Sequence, residues 1–130
     1  MLFVCLRNAG RSQMSEMLFT RAARGRHKAR SAGTQPADRV HTEAAEVMGE
    51  LGAELGARKP RSLTETDAQW ADVFVTMGCG DECPTLPGKR YIDWDLPDPD
   101  GRPVDEVRAI RDEIARRVED LVRELDQSGP

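Results

Sequence analysis

Cys5, Arg11 and Ser12 form a short pattern whose residue types suit chemistry on an anion. A cysteine thiolate is a strong nucleophile, and an arginine guanidinium is a planar fork that can hold two oxygens of a tetrahedral oxyanion. We expect the Ser12 hydroxyl to donate a hydrogen bond to the sulfur and so stabilise the thiolate. The alternative is that Cys5 is an inert buried thiol at the end of a strand, since free cysteine is often buried.

The elements on either side of this pattern can position it. An apolar run at residues 1–4 predicts a buried strand that ends at Cys5, and helical spacing after Ser12 predicts a helix to about residue 23. The turn between them can direct its backbone N–H groups inward, where the positive end of the helix adds to their field. We therefore expect an anion cradle with Cys5 at its floor, largely as thiolate at neutral pH. The predicted cradle residues are Leu6, Arg7, Asn8, Ala9, Gly10, Arg11 and Ser12.

Two of these cradle residues have conformational roles in the prediction. Asn tolerates the left-handed conformation, so Asn8 is expected to fix the loop through hydrogen bonds between its side chain and the backbone. Gly10 lacks a β-carbon and is expected to let the backbone approach the anion closely.

The composition predicts one globular domain over residues 1–130. Hydrophobic side chains make up 38% of the 130 residues and charged ones 32%, and no apolar run approaches the ~20 residues of a membrane span. The net charge of −4 argues against nucleic acid as a partner. An odd number of cysteines, three, does not suit a disulfide-stapled secreted domain. We expect a cytoplasmic monomer that binds neither nucleic acid nor membrane.

Alternating strand and helix patterns predict an α/β domain with a parallel sheet. After the first strand, an apolar run predicts a strand over residues 72–77, and two further strands are predicted over residues 29–34 and 90–94. Ligands of such sheets bind at the carboxyl ends of the strands. Because Cys5, Cys79 and Asp98 each follow a strand, we expect them to meet at one edge of the sheet.

The remaining helices follow from apolar spacing and end signals. Thr42 is the predicted N-cap of the second helix, whose apolar face extends to Leu51. A short helix is predicted over residues 63–71, with Trp70 packing inward. The longest helix is predicted to begin with Pro103 at its first position.

Cys79 and Cys83 stand on either side of Gly-Asp-Glu, in a segment rich in glycine and proline. A phosphatase needs neither thiol, whereas a reductase needs two electrons, and a dithiol beside the nucleophile can supply them. A zinc site is an alternative, but the three cysteines with His27 and His41 show no recognised ligand spacing. We therefore expect no metal and no cofactor.

Displacing an oxygen from an oxyanion also requires a proton donor to the leaving group. Carboxylates are concentrated around residues 93–100, where Asp93, Asp95, Asp98 and Asp100 are all candidates. Residue type alone does not choose among them, because each could equally be a solvated loop carboxylate.

The stretch from Phe3 to Glu16 resembles the arsenate reductase branch of the low-molecular-weight tyrosine phosphatase family, of the thioredoxin-coupled type. The matching string is Phe-Val-Cys-x-x-Asn-Ala-Gly-Arg-Ser-Gln-Met-Ser-Glu, and later matches lie at residues 31–34, 75–79 and 94–99. The resemblance covers nearly the whole chain. It implies a single-domain, three-layer sandwich around a four-stranded parallel sheet.

The resemblance also implies a role for each chemical residue. Cys5 would attack arsenate, Arg11 would clamp the anion, and Asp98 of the Asp-Pro motif would be the general acid. Cys79 would then attack Cys5, and Cys83 would attack Cys79 to leave a disulfide that thioredoxin reduces.

Three alternatives stay open at this point. Relatives are known in which a small thiol and a glutaredoxin-like partner resolve the adduct, which would leave Cys83 a bystander. The same fold also serves tyrosine phosphatases, which usually carry an aromatic residue after Asp-Pro. Asp100-Gly101 stands there instead, which favours a small inorganic substrate. The third alternative is a module that binds an oxyanion without turnover.

Overall fold

A computed structural model of the chain describes residues 1–78 and 86–128. These residues form four strands and four α-helices, with one turn of 3-10 helix at Leu55–Ala57. In chain order the elements are β1 (Leu2–Cys5), α1 (Arg11–Ala23), β2 (Arg30–Gly33), α2 (Thr42–Gly49), α3 (Glu65–Trp70), β3 (Val73–Met77), β4 (Arg90–Asp93) and α4 (Val104–Ser128).

The four strands form one parallel sheet in the order β2-β1-β3-β4. Cys5 at the end of β1 lies in register with Gly33 of β2 and Met77 of β3. Beyond β4, the Trp94 amide donates to the Thr76 carbonyl at 2.8 Å and extends the pairing toward the same edge. The predicted four-stranded parallel sheet is confirmed, and Cys5 lies at its carboxyl edge.

Helices cover both faces of the sheet, so its central strands are apolar on both sides. In β1, Phe3 packs into the larger core beneath α1, α2 and α4, whereas Leu2 and Val4 pack into a smaller cluster on the α3 side. The alternation follows from the period of two along a strand. These two clusters confirm the predicted three-layer sandwich.

α4 is fastened to α2 by a charge cluster as well as by apolar packing. Glu50 accepts hydrogen bonds from Arg108 and from Arg111, whose guanidinium also donates to the Val47 carbonyl at 2.8 Å. The hydrogen bonds from Arg108 and then Arg111 lower the pKa of Glu50 to about 2.

Among the described residues no helix is both long enough and apolar enough to cross a bilayer.

The helix boundaries differ in detail from the prediction. His41, not Thr42, is the N-cap of α2. The helix ends at Gly49, so Leu51 lies beyond it and is 38% exposed instead of lying on an apolar face. Pro103 immediately precedes α4 instead of occupying its first position.

α3 is shorter than predicted because its first turn is fixed by a capping box. The Thr64 side chain accepts from the Asp67 amide, and the Asp67 carboxylate accepts from the Thr64 amide. Trp70 is half-buried instead of packed fully inward, and the Arg30 guanidinium lies 4.1 Å from the centre of its ring. A cation–π contact therefore covers the part of the indole that the core does not.

Candidate active site

The substrate loop, residues 5–12, connects β1 to α1 at the carboxyl edge of the sheet. Asn8 holds its left-handed backbone, with φ of +52°. Its side-chain carbonyl accepts from the Arg61 amide at 2.9 Å and from the Gln13 amide group at 3.0 Å, and its Nδ2 donates to Ser12 Oγ at 2.7 Å. The Asn8 side chain therefore holds the loop as expected, but only its bond from the Arg61 amide is to backbone; the other two partners are the side chains of Ser12 and Gln13.

The carbonyls of the substrate loop are occupied on the side away from the site. The carbonyls of Cys5, Leu6, Arg7 and Ala9 accept hydrogen bonds from the backbone amides of residues 34–41, at 2.8–3.2 Å. In a trans peptide the N–H points opposite to the C=O. The loop amides are therefore turned toward the other side, where they can receive an anion.

Cys5 lies at the floor of this loop and is 3% exposed. Its Sγ is 2.8 Å from Ser12 Oγ, and the Asn8 amide donates to it at 3.2 Å. Both contacts suit a sulfur that carries negative charge. The α1 N-terminus, with no acidic side chain in its first turn, adds an uncompensated positive field beside them.

Arg11 is the first residue of α1 and its side chain turns back over the site. The Arg11 side chain is only 10% exposed; its Nη1 donates to the Leu96 carbonyl at 3.2 Å, and its Nη2 lies 3.9 Å from Asp98 Oδ2. Gly78 at the end of β3 packs directly against it, because a β-carbon there would lie 2.5 Å from Nη1. The guanidinium is thus held between the segments that follow β3 and β4.

The acid loop, residues 95–102, places the predicted general acid at this guanidinium. Asp98 Oδ1 accepts from the Asp100 amide at 3.0 Å, and the Asp98 carbonyl accepts from Arg102 Nε at 2.6 Å. The Asp98 side chain is 58% exposed. Its neighbour Pro99 is buried against Gly10, where an added β-carbon would lie 2.7 Å from the proline ring. Gly10 therefore makes room for the acid loop, a reason different from the predicted approach to the anion.

A small concave cavity brings the predicted residues together, and it also includes two that the sequence analysis missed. His41 and Pro99 line it alongside the predicted site residues. No local sequence signal marks His41, because the sequence predicts Thr42 as the N-cap of α2 and the contacts of His41 at the cavity are tertiary. The predicted residues that line the cavity are Cys5, Arg7, Ala9, Gly10, Arg11 and Asp98.

Leu6, Asn8 and Ser12 belong to the predicted cradle but do not line the cavity. Asn8 and Ser12 are fully buried, and Leu6 is partly buried. Arg7, by contrast, is exposed at the rim, where its Nη1 donates to the Gln35 carbonyl at 3.3 Å. The cavity therefore has Arg11 in its wall and Arg7 at its rim.

A buried charge network stands behind the substrate loop. Asp67, 1% exposed, accepts from the Arg61 guanidinium at 2.6 Å and from Thr64 Oγ1 at 2.8 Å. Burial opposes ionisation of this carboxyl, but the hydrogen bonds from Arg61 and Thr64 outweigh it and lower its pKa. Since the Arg61 amide also holds Asn8, this network fixes the back of the substrate loop.

Cys79 and Cys83 lie outside the described residues. The described chain reaches the Arg11 guanidinium at Gly78, one residue before Cys79 in the sequence. Within residues 1–78 and 86–128, no three side chains of His, Cys, Asp or Glu are grouped as metal ligands.

Comparison with known proteins agrees with this geometry. The family described as "Low molecular weight phosphotyrosine protein phosphatase" matches residues 1–130. A Halobacterium salinarum protein named "Putative arsenate reductase" is 43% identical over 95% of this chain and 91% of its own length. A Synechocystis protein named "Glutaredoxin arsenate reductase" is 32% identical over 95% of this chain and 96% of its own.

A solved structure supports the same relationship. The thioredoxin-dependent arsenate reductase of Corynebacterium glutamicum superposes with a TM-score of 0.86 at 38% identity, covering 98% of this chain and 62% of that one. The sequence match, the parallel sheet and the substrate loop thus lead to one assignment. This chain belongs to the low molecular weight phosphotyrosine protein phosphatase family, and its relatives include arsenate reductases.

Proposed function

We propose that this protein is an arsenate reductase in which Cys5 is the nucleophile, Arg11 the anion clamp and Asp98 the general acid. The observation that carries the proposal is the single cavity that brings these three side chains together over a floor of backbone amides. None of the described residues that line this cavity is Phe, Tyr or Trp. Such a site favours a small tetrahedral oxyanion over a phosphotyrosine side chain.

The first step forms a bond between sulfur and arsenic. The Cys5 thiolate attacks arsenic(V), and the bond from arsenic to one hydroxyl oxygen breaks. Asp98 gives its proton to that oxygen, which leaves as water. The Ser12 hydroxyl stabilises the thiolate before attack, and the Arg11 guanidinium balances the charge of the remaining arsenate oxygens.

The second step is a dithiol relay that reduces arsenic. The Cys79 thiolate attacks the Cys5 sulfur, the sulfur–arsenic bond breaks, and its electron pair stays on arsenic, which leaves as arsenite. A Cys5–Cys79 disulfide results. Cys83 then attacks Cys79, which releases the Cys5 thiolate and leaves a Cys79–Cys83 disulfide. A thioredoxin dithiol returns two electrons and restores the reduced enzyme.

Two findings support the relay, and one gives its alternative. The sequence places Cys79 directly after Gly78, which packs on the Arg11 guanidinium, and it places Cys83 four positions later. The C. glutamicum relative is described as thioredoxin-dependent. The Synechocystis relative is named for glutaredoxin, so a small thiol with a glutaredoxin-like partner is the competing source of electrons.

The test is a single turnover on fully reduced protein with no external thiol. Arsenate is added, the reaction is quenched by alkylation, and the disulfides are mapped by mass spectrometry while arsenite is quantified. Cys83→Ser is the matched variant for the second exchange, and Cys5→Ser controls for background arsenite.

One equivalent of arsenite with a Cys79–Cys83 bridge is the expected result, and Cys83→Ser should stop at Cys5–Cys79. A Cys5–Cys79 bridge in the native protein would keep the reductase but remove the role of Cys83. Three free thiols, with arsenite formed only when glutathione and glutaredoxin are added, would replace the relay by the small-thiol route. No arsenite under any reductant would overturn the proposed function.

A further inference from the structure

His41 connects the substrate loop to the acid loop, although no step of the proposed reaction uses it. Its backbone amide donates to the Ala9 carbonyl at 2.8 Å, so the residue is fastened to the substrate loop. Its ring lies against Gly10, with Cδ2 3.1 Å from where a β-carbon on Gly10 would stand. Only 18% of the side chain is exposed.

The other side of the imidazole faces the acid loop. His41 Nδ1 lies 3.8 Å from Asp100 Oδ1, and the Asp100 amide donates to the Asp98 carboxylate at 3.0 Å. Pro99, between the two aspartates, is buried on Gly10 beside the same ring. His41, Asp100 and Asp98 thus form a chain of contacts that ends at the carboxyl group beside Arg11.

We propose that His41 is a positioning residue that holds the acid loop on the substrate loop and so fixes Asp98 for proton transfer. The Asp98 carboxylate is held locally by the Asp100 amide, but its side chain is 58% exposed and 3.9 Å from Arg11, so its position over the substrate loop depends on how the acid loop is held there. A weakly held acid delivers its proton less often, because proton transfer requires hydrogen-bond reach of the leaving oxygen. The inference rests on the proposed function, which supplies the acid that His41 positions.

In this arrangement His41 positions the general acid, Asp98, and does not itself bind the anion. The anion is received by the loop amides and the Arg11 guanidinium, which keep their own partners when the imidazole is removed. Loss of His41 should therefore slow the proton-dependent step and leave oxyanion affinity unchanged. The charged or titratable groups around the ring are Cys5, Arg7, Arg11, Asp98 and Asp100.

The chain offers variants that separate these effects. His41→Asn removes the imidazole and keeps a residue favoured at the N-cap of α2. Asp100→Asn removes the opposing carboxylate and keeps the backbone amide that Asp98 uses. His27→Gln is the matched control, because His27 pairs with Asp126 at 2.9 Å in the connection that leads into the amino end of β2.

Two measurements test the proposal on the full chain. The first is hydrogen exchange of the acid-loop amides, which reports on positioning whether or not the protein reduces arsenate. The second is the single-turnover rate of arsenite formation, with the Kd for inorganic phosphate as the measure of anion affinity. Melting temperatures are recorded for every variant.

We expect faster amide hydrogen exchange within residues 98–102 in His41→Asn and in Asp100→Asn. In His27→Gln the exchange rates of these residues should equal those of the native protein. The single-turnover rate of arsenite formation should fall about three- to tenfold in His41→Asn and in Asp100→Asn. The variant that carries both changes should be no slower than the slower of the two single variants. The affinity for inorganic phosphate should stay within twofold of the native value in all three. Unchanged exchange, additive losses of rate, or weaker phosphate binding at an unchanged rate would each overturn the inference. If the native protein forms no arsenite, the proposed function fails, and the exchange data still decide whether His41 positions the loop.

Discussion

Gly78 offers a substitution whose effects on stability and on anion binding should separate. Its φ is +83°, and an added β-carbon would lie 2.5 Å from Arg11 Nη1 and 3.0 Å from Cζ. Carbon–nitrogen contact distances are nearer 3.5 Å, so the guanidinium must shift by about 1 Å in Gly78→Ala. Because the clashing group is the far end of a flexible side chain, relieving the clash costs little stability.

The expected loss of stability therefore comes from the backbone alone. A left-handed residue with a β-carbon costs about 1–2 kcal/mol. Gly25→Ala is the matched control, since Gly25 has φ of +82° and no heavy atom near the added β-carbon, so both variants should lose similar free energy of unfolding. The measurement is chemical denaturation of both variants beside the native protein.

Function should distinguish the two variants. A displacement of about 1 Å at a group that clamps the substrate can cost roughly 100-fold, which corresponds to about 2.7 kcal/mol of transition-state stabilisation. We expect kcat/KM for arsenate to fall by about that factor in Gly78→Ala and to stay within twofold in Gly25→Ala. The Kd for inorganic phosphate should weaken in parallel, which separates an effect on Arg11 from one on Cys79. Equal phosphate affinity in the two variants would refute the reasoning.

Two further substitutions test the support of the site. Asp67→Asn should lower the free energy of unfolding at pH 7 by about 2 kcal/mol, because the buried partner of Arg61 loses its charge. The pKa of Asp67 is lowered in the folded state, so its contribution is present above its ordinary pKa of 3.8 and lost as pH falls below it. Urea titrations at pH 7 and pH 3 should therefore show the difference from native protein shrinking at the lower pH. Ser12→Ala removes the hydroxyl 2.8 Å from Cys5 Sγ and should slow the alkylation of Cys5 by iodoacetamide at pH 7 about tenfold, whereas an unchanged rate would show that the hydroxyl does not stabilise the thiolate.

The features predicted correctly from the sequence are those encoded by neighbouring residues. The strand that ends at Cys5 and the helix that begins at Arg11 follow from local spacing, and their junction forms the loop. The convergence of the acid loop on that junction followed from a general property of parallel sheets. His41 was missed because its partner Asp100 is distant in the sequence, and only the packed structure shows the contact. Similarly, the burial of Pro99 on Gly10 depends on tertiary approach and has no local signature.

The two described residues that border the dithiol segment are each held by the folded domain. Gly78 packs on the Arg11 guanidinium, while the Leu86 amide donates to the Tyr91 hydroxyl and the leucine side chain joins the cluster around Phe74. The chain on either side of residues 79–85 is therefore fixed at two separate places, one on the Arg11 guanidinium and one on the cluster around Phe74. A graft that changes the cysteine spacing between Gly78 and Leu86 would therefore join the described domain at two held residues, away from the hydrogen bonds that fix the substrate loop.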